Sequence, residues 1–387
     1  MTEKLYYIDP RRTEFTARVL RCEAEKGGYG VVLDRSAFFP EGGGQGGDRG
    51  VLGGAEVLDV HERDGEIVHL CSTPLEAGAE VAGAVDWALR FARMQIHSAE
   101  HIVSGTAHRE WGCENVGFHM TENAATLDFD RELDAGQLST LERLANEAVW
   151  RDLRVNILYP TESELAAIPF RQKKELTGQI RLVEIPGVDV CACCAPHVLS
   201  TGQIGLIRLA DMARHRGGVR ITMLAGAAAY ADAAAQGRAA AALSHLFSAP
   251  RAALAEAAGR YIAETDRLKY AHAELEKRYV ALRAESTPPA AGNLAVFESG
   301  ELSAPALRGL AEGLSGRCGA VAGAFAGDDK NGWRYVLAAQ SADLRSWVRD
   351  FNASLHGRGG GSGQMAQGSV AATQKEIEEY FHGEERG

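Results

Sequence analysis

The sequence predicts a multidomain α+β protein, and three changes of pattern along the chain predict it. Residues 1–88 alternate in short strand-like runs broken by Gly, Asp and Pro, the spacing of a small β-barrel. From Trp87 the period becomes helical, and helices then mix with strands as far as residue 225. Beyond that, an Ala-rich stretch leads into a second, smaller α/β pattern. At 387 residues the chain exceeds one ordinary domain. The expected division is a β-barrel over 1–88, an α+β unit over 89–225, a helical linker or coiled coil over 226–289 and a small α/β domain over 290–387.

In chain order, Leu5-Tyr6-Tyr7-Ile8, Thr16 to Leu20 and Gly30 to Leu33 read as barrel strands. Phe38-Phe39-Pro40-Glu41-Gly42-Gly43-Gly44-Gln45-Gly46-Gly47-Asp48-Arg49-Gly50 interrupts them. It is no P-loop, since no Gly-Lys-Ser/Thr and no helix pattern follow, which removes the usual signal for ATP binding. Glycines this dense permit close backbone approach, either to an RNA backbone or over a pocket, or simply a hairpin with a bulge. Arg90 to Trp111 has Phe91, Met94, Ile102 and Val103 at helical spacing and stops before Gly112. Val116 to Thr121 and Ala125 to Asp130 read as a hairpin, Ser139 to Asp152 as a helix, and Val155 to Tyr159 and Arg181 to Ile185 as strands. Residues 226–285 have the composition of a long helix or helical hairpin, broken near Pro250. The C-terminal part alternates strands (Asn293 to Phe297, Ala320 to Phe325, Tyr335 to Ala339) with helices (Pro305 to Leu314, Thr373 to Phe381). A second glycine run, 357–369, lies before the last helix and so belongs inside that domain.

Chemistry concentrates at two places. His97 and His101 are four apart, one helical turn, so both imidazoles face the same side and can share a metal ion. Nearly a hundred residues on, Cys191-Ala192-Cys193-Cys194-Ala195-Pro196-His197 supplies thiolates and a third imidazole. Cys193 and His197 repeat the spacing of four, while Cys191 and Cys194 are rival thiolates. Three imidazoles and one thiolate suit zinc. His97-Ser98-Ala99-Glu100-His101 also fits H-x-x-E-H, the inverted zinc-peptidase pattern with Glu100 as general base. That alternative needs a downstream carboxylate ligand and leaves the Cys/His cluster unused.

The formal net charge of −11 argues against a general nucleic-acid coat protein. Locally, Arg171, Lys173, Lys174, Arg181, Arg208, Arg214, Arg216 and Arg220 make 171–220 basic, as a phosphate-bearing partner or a solvated face would have it. No apolar run approaches the roughly 18 residues of a membrane span, and the N-terminus has no signal-like core. Seven cysteines, three of them between Cys191 and Cys194, do not form a secreted disulfide frame. A cytoplasmic protein with reduced thiols is expected.

His97-x3-His101 followed by Cys193-x3-His197 resembles the zinc motif of the editing domain shared by threonyl- and alanyl-tRNA synthetases. Phe39 to Gln45 and Asp48-Arg49-Gly50 are similar to the glycine-rich motif of the barrel preceding that domain in alanyl-type proteins. Gly117-Phe118-His119, Asn146-Glu147, Arg181-Leu182-Val183 and Gly218 to Ile221 match comparable runs, and Gly359 to Gly363 with Ala366-Gln367-Gly368 resembles the DHH-associated domain of alanyl-tRNA synthetases. One departure is Cys194-Ala195-Pro196, where synthetases usually carry Gly-Gly-Thr. No class II synthetase core fits beside these domains, so the chain looks like a free-standing editing protein of the long AlaX type.

The resemblance implies trans-editing hydrolysis of tRNA for alanine mischarged with serine, or with glycine, sparing the alanyl ester. It selects Cys193 to complete a zinc site with His97, His101 and His197. Hydrolysis requires a positioned water and donors for the developing oxyanion. Glu100 is the candidate polar or base contributor, and His119, Thr121 and Gln45 are candidates for a pocket or rim that hydrogen-bonds a hydroxyl, so that alanine leaves buried polar groups unpaired. The helical linker or C-terminal domain would grip tRNA or pair with a second copy. The non-enzymatic alternative is a zinc-stabilised tRNA-binding module.

Overall fold

The computed structural model describes residues 2–172, 179–341 and 343–383; Lys173 and Lys174 of the basic stretch lie outside them. The chain forms two compact units, Met1–Ala241 and Ala242–Gly387.

The first unit begins with six antiparallel strands. They are hydrogen-bonded in the order Glu14–Glu25, Gly28–Leu33, Glu66–Cys71, Ala55–Arg63, Gly50–Leu52 and Glu80–Val85, and the last returns to the first, closing a barrel with no unpaired edge. Val31, Leu33, Leu52, Val57, Val60 and Ile67 fill its interior. Leu5–Ile8, expected as a strand, is instead one helical turn closed by Asp9 N–H donating to Leu5 O at 3.1 Å. A strand would send Leu5 and Tyr6 to opposite faces. The turn buries both, Leu5 in the barrel core and Tyr6 against Phe39 and Ala195.

His69 is sealed inside this barrel, with Ser36 Oγ 2.7 Å from Nε2 and Val31 O 2.9 Å from Nδ1. Burial depresses its imidazole to about 4, against a partly offsetting bond to Val31. Unfolded, the ring titrates near 6.5. As pH falls from about 6.5 towards 4, the unfolded chain therefore takes up a proton that the native barrel refuses, and roughly 3 kcal/mol of stability is lost across that window. In His69→Asn this component is expected to vanish. Urea midpoints measured at pH 7 and about pH 4.5 should then fall less in the variant than in wild type; equal falls would contradict it.

The 25-residue helix Trp87–Trp111 follows. Asp86 caps it by accepting from Leu89 N–H at 3.1 Å, and Gly112 ends it at φ +64°, a left-handed conformation glycine adopts without strain. It begins three residues before Arg90. Every residue from Ile96 to Ala107 is buried, not one face alone, because sheet, barrel loop and cysteine hairpin surround it. Its polar residues His97, Ser98, Glu100, His101, Ser104 and Thr106 must consequently find partners inside the protein.

Around the helix stand a four-stranded sheet, Ile207–His215, Gly218–Ala225, Ala125–Phe129 and Asn115–Met120 in that order, and a three-stranded sheet, Asn156–Leu158, Leu182–Ile185 and Asp189–Ala192. The helix expected from Ser139 is Ala135–Trp150: Asp134 and Gln137 form a capping box that starts it a turn earlier. The Ala-rich segment gives two helices, Gly226–Leu246 and Leu254–Ser286, with Pro250 between them.

In the second unit, five strands run Leu294–Glu298, Ala322–Asp328, Gly332–Ala338, Met365–Val370 and Arg358–Ser362 across the sheet. The first pair is parallel and the rest are antiparallel. The glycine run supplies the edge strand Arg358–Ser362, and Gln374–Gly383 is the closing helix. No helix among the described residues is long and apolar enough to cross a membrane.

Candidate metal centre

The buried helix brings His97 and His101 to the end of the hairpin Leu182–Ile185/Asp189–Ala192, where Cys193 and His197 follow. One ligand atom from each of the four lies within 4.8 Å of every other. Cys193 Sγ is 3.5 Å from His97 Nε2 and 3.3 Å from His197 Nε2. Around a tetrahedral zinc with bonds of about 2.0–2.3 Å, neighbouring ligand atoms stand roughly 3.3–3.6 Å apart, so the donor set fits such an ion.

All three imidazoles are gripped through Nδ1. Gln45 Oε1 is 3.0 Å from His97 Nδ1, Ser98 Oγ is 3.0 Å from His197 Nδ1, and Asp189 Oδ2 is 2.9 Å from His101 Nδ1. The Asp189 carboxylate is itself clamped by Arg171, whose Nε and Nη2 donate at 2.7 and 2.9 Å. Gly105 makes this approach possible: a Cβ there would stand 2.6 Å from both Asp189 Cβ and Val188 O.

The electrostatics favour a thiolate at Cys193. Burial alone would raise the Cys193 thiol, but His97 and the hydrogen bonds from His101 and His197 hold it well below its ordinary value, as thiolate. Burial would lower His101; the Asp189 and Cys193 hydrogen bonds prevail and raise it to about 9. His197 is driven down to about 3, chiefly by burial, and stays neutral. A divalent ion bound here would neutralise the thiolate and displace the proton that His101 otherwise holds. Cys191 groups with His101 and Asp189 instead, and burial pushes its thiol up to about 12.

The glycine-rich loop covers the cluster. Gly43 and Gly44, at φ +62° and +85°, form a tight turn closed by Gly42 N–H to Gln45 O at 2.9 Å and Gln45 N–H to Gly42 O at 3.1 Å. A Cβ on Gly43 would lie 3.7 Å from His97 Cε1, and one on Gly42 would lie 3.8 Å from Cys194 Sγ. Below the turn, Arg93 Nη1 donates to Gly47 O, and Asp48 forms a buried ion pair with Arg90.

Of the residues expected in the pocket, Gln45 and Glu100 lie beside the ligands. Glu100 Oε1 accepts from Ser104 Oγ at 2.7 Å and Asn115 Nδ2 at 2.8 Å, and its Oε2 is 4.0 Å from His101 Nε2. His119 is exposed on Asn115–Met120. Phe118, one residue earlier, is the one whose ring packs 5.2 Å from that of His97, and successive strand residues face opposite ways. The Thr121 hydroxyl donates to Ala124 O and accepts from Ala124 N–H, closing the hairpin turn. Sequence patterns missed the supports Ser98, Asp189, Arg171 and Asn115. Ser98 sits inside the histidine motif, and Asp189 is an acid two residues before the first cysteine of its cluster; both were visible signals.

Residues 8–89 match the family described as tRNA synthetases class II (A), and residues 180–222 match the threonyl and alanyl tRNA synthetase second additional domain. The chain is thus multidomain α+β with a tRNA-synthetase-type editing domain. It is 34% identical to alanyl-tRNA editing protein AlaX-L of Pyrococcus horikoshii over 54% of either chain. An alanine–tRNA ligase of Pyrobaculum neutrophilum is 33% identical over 95% of this chain and 42% of its own. Against these two the chain spans about half or less of the relative's length. AlaX-M of Saccharolobus solfataricus is 38% identical over 54% of this chain and 92% of its own. With a 38% identical relative matched over 92% of its own length, the chain belongs to the alanyl-tRNA editing protein family.

Proposed function

We propose that the chain is a trans-editing aminoacyl-tRNA hydrolase, removing serine, and also glycine, from tRNA for alanine while sparing the alanyl ester. The observation that carries this is the convergence of His97, His101, Cys193 and His197 within 4.8 Å in a chain of this family. Zinc is the ion proposed for those ligands, and when bound it would supply Lewis-acid polarisation and shape the site.

The chain's own residues do the rest. Glu100, fixed by Ser104 and Asn115, orients and accepts a proton from the attacking water. Gln45 is buried beside His97, and its Nε2 lacks a hydrogen-bond partner. A serine hydroxyl would satisfy that donor where alanine leaves it unpaired, the kind of difference that discriminates by orders of magnitude. His119 and Thr121, exposed on the adjoining hairpin, form the rim that meets the acceptor end.

The working division of the chain is barrel 1–88, editing domain 89–225, helical linker 226–289 and DHH-associated-like domain 290–387, with the linker and last domain holding tRNA or a second copy. Tyr261, Leu268, Leu275 and Leu282 of Leu254–Ser286 recur every seventh residue and are 65%, 55%, 66% and 65% exposed, a seam suited to coiled-coil pairing. A cytoplasmic setting, with reduced thiols, fits this activity.

The test is to incubate the zinc-loaded chain with Ser-tRNA and Ala-tRNA, both made on tRNA for alanine, after sedimentation of the same preparation. Rapid loss of the seryl ester, an intact alanyl ester and a dimer are expected. An intact seryl ester overturns the editing activity, and tight tRNA binding beside it would mark a non-catalytic module. A monomer overturns the seam.

A further inference from the structure

The three imidazoles are held from three different elements: His197 from the helix by Ser98, His101 from the cysteine hairpin by Asp189, and His97 from the barrel's glycine-rich loop by Gln45. We propose that Gln45 is a positioning residue for His97, so that the order of the glycine-rich loop and the affinity of the metal centre are one coupled property; this rests on the metal reading above.

An amide oxygen 3.0 Å from Nδ1 accepts, so Nδ1 keeps its proton, and Nε2, 3.5 Å from Cys193 Sγ, is the nitrogen left to offer its lone pair to a metal. With the amide turned over, its nitrogen would donate to Nδ1 and the proton would move to Nε2, where it would block a metal. The metal-ligating tautomer therefore requires the oxygen on the histidine side. Gln45 is fully buried, and its unpartnered Nε2 follows from that orientation.

Delivery of the side chain is equally constrained. The Gly43-Gly44 turn presents Gln45 directly over His97, and Met120 N–H donates to Gly44 O at 3.1 Å on one side. A side chain on Gly44 would fall 2.7 Å from Phe118 Cδ1. On the other side, Arg93 and the Asp48–Arg90 pair hold Gly47 and Asp48. The loop has little freedom to present Gln45 elsewhere. By reciprocity, an ion that fixes His97 must order the loop, and an ordered loop must tighten the ion.

The test uses the full chain, the metal alone and two variants. Gln45→Leu keeps the bulk and removes the acceptor. Gln45→Glu keeps an acceptor, as Asp189 does for His101. Zinc affinity from competition with a chromophoric chelator is expected to fall about 10–100-fold in Gln45→Leu, the usual effect of losing a ligand's outer partner, and to stay within a few-fold of wild type in Gln45→Glu. Histidine ¹⁵N spectra of the zinc form should show His97 protonated on Nδ1 in wild type and Gln45→Glu. Zinc should slow amide exchange at Gly42 and Gln45 in these two proteins but not in Gln45→Leu. Equal affinity for wild type and Gln45→Leu would overturn the proposal, and so would equal weakening in both variants, the mark of a loop residue that only packs. Failure of the metal reading looks different: wild type itself would not take up one zinc, or Cys193→Ser would bind it equally well.

Discussion

Cys193→Ser is expected to abolish zinc-dependent stabilisation of the first unit, together with deacylation. Serine nearly preserves the shape of the side chain but carries no negative charge near neutral pH. In the native chain, by contrast, His97 and the hydrogen bonds from His101 and His197 hold the Cys193 thiol well below its ordinary value despite the opposing effect of burial. An ion that binds only the folded state adds about 4 kcal/mol when its concentration is some thousand times Kd. Wild type should therefore show a zinc-dependent rise in Tm that chelator reverses, while the variant should melt at one temperature with or without zinc. Calorimetry of both proteins, with zinc at fixed excess and then with chelator, reads this directly. A Cys193→Ser protein with the wild-type zinc response would remove Cys193 from the ligand set. Cys191→Ser is the companion measurement, because Cys191 groups with His101 and Asp189 and its thiol is pushed up to about 12 by burial. It should leave the zinc response in place.

The two halves of the His/Cys cluster are legible in the sequence because each is local. A spacing of four on a helix, and the same spacing after a strand, put ligand types together without knowledge of the fold. The barrel's strands are legible for the same reason, since alternation and turn residues are short-range signals. What supports the ligands is long-range. Gln45 meets His97 across 52 residues, and Asp189 meets His101 across 88; no periodicity relates such positions. The exposed placement of His119 turns on strand parity: one residue decides whether Phe118 or His119 faces the cluster, and both belong to the run that resembles the family. Leu5–Ile8 misleads for a related reason. Its composition suits a strand, yet the chain closes there as one helical turn, with Leu5 in the barrel core and Tyr6 against Phe39 and Ala195.

The largest single loss of stability is expected from Arg90→Met. Arg90 is 0% exposed and Asp48 1% exposed. Arg90 Nε donates to both Asp48 oxygens at 3.0 and 2.9 Å, Nη1 to Pro10 O at 2.9 Å and Nη2 to Ala37 O at 2.6 Å, with a further Nη2 contact to Asp48 Oδ2. Asp48 Oδ2 in turn accepts from Phe39 N–H at 2.6 Å. One guanidinium thus ties the first turn of the histidine helix to three points of the barrel segment. Replacing it with methionine fills much of the volume but strips the guanidinium from the buried Asp48 carboxylate and Ala37 carbonyl and from the part-buried Pro10 carbonyl. Removing one member of a buried pair typically costs about 3–5 kcal/mol, mostly for the charge left behind. Urea unfolding should show that loss. The double variant Arg90→Met/Asp48→Leu should be less destabilised than the two single changes sum to, because no stranded charge remains. Strict additivity, or a loss below about 1 kcal/mol, would show that the pair does not hold the barrel to the helix. Zinc affinity supplies the functional readout: Asp48 lies three residues after Gln45, so a loosened loop should weaken zinc in Arg90→Met even though no ligand has changed.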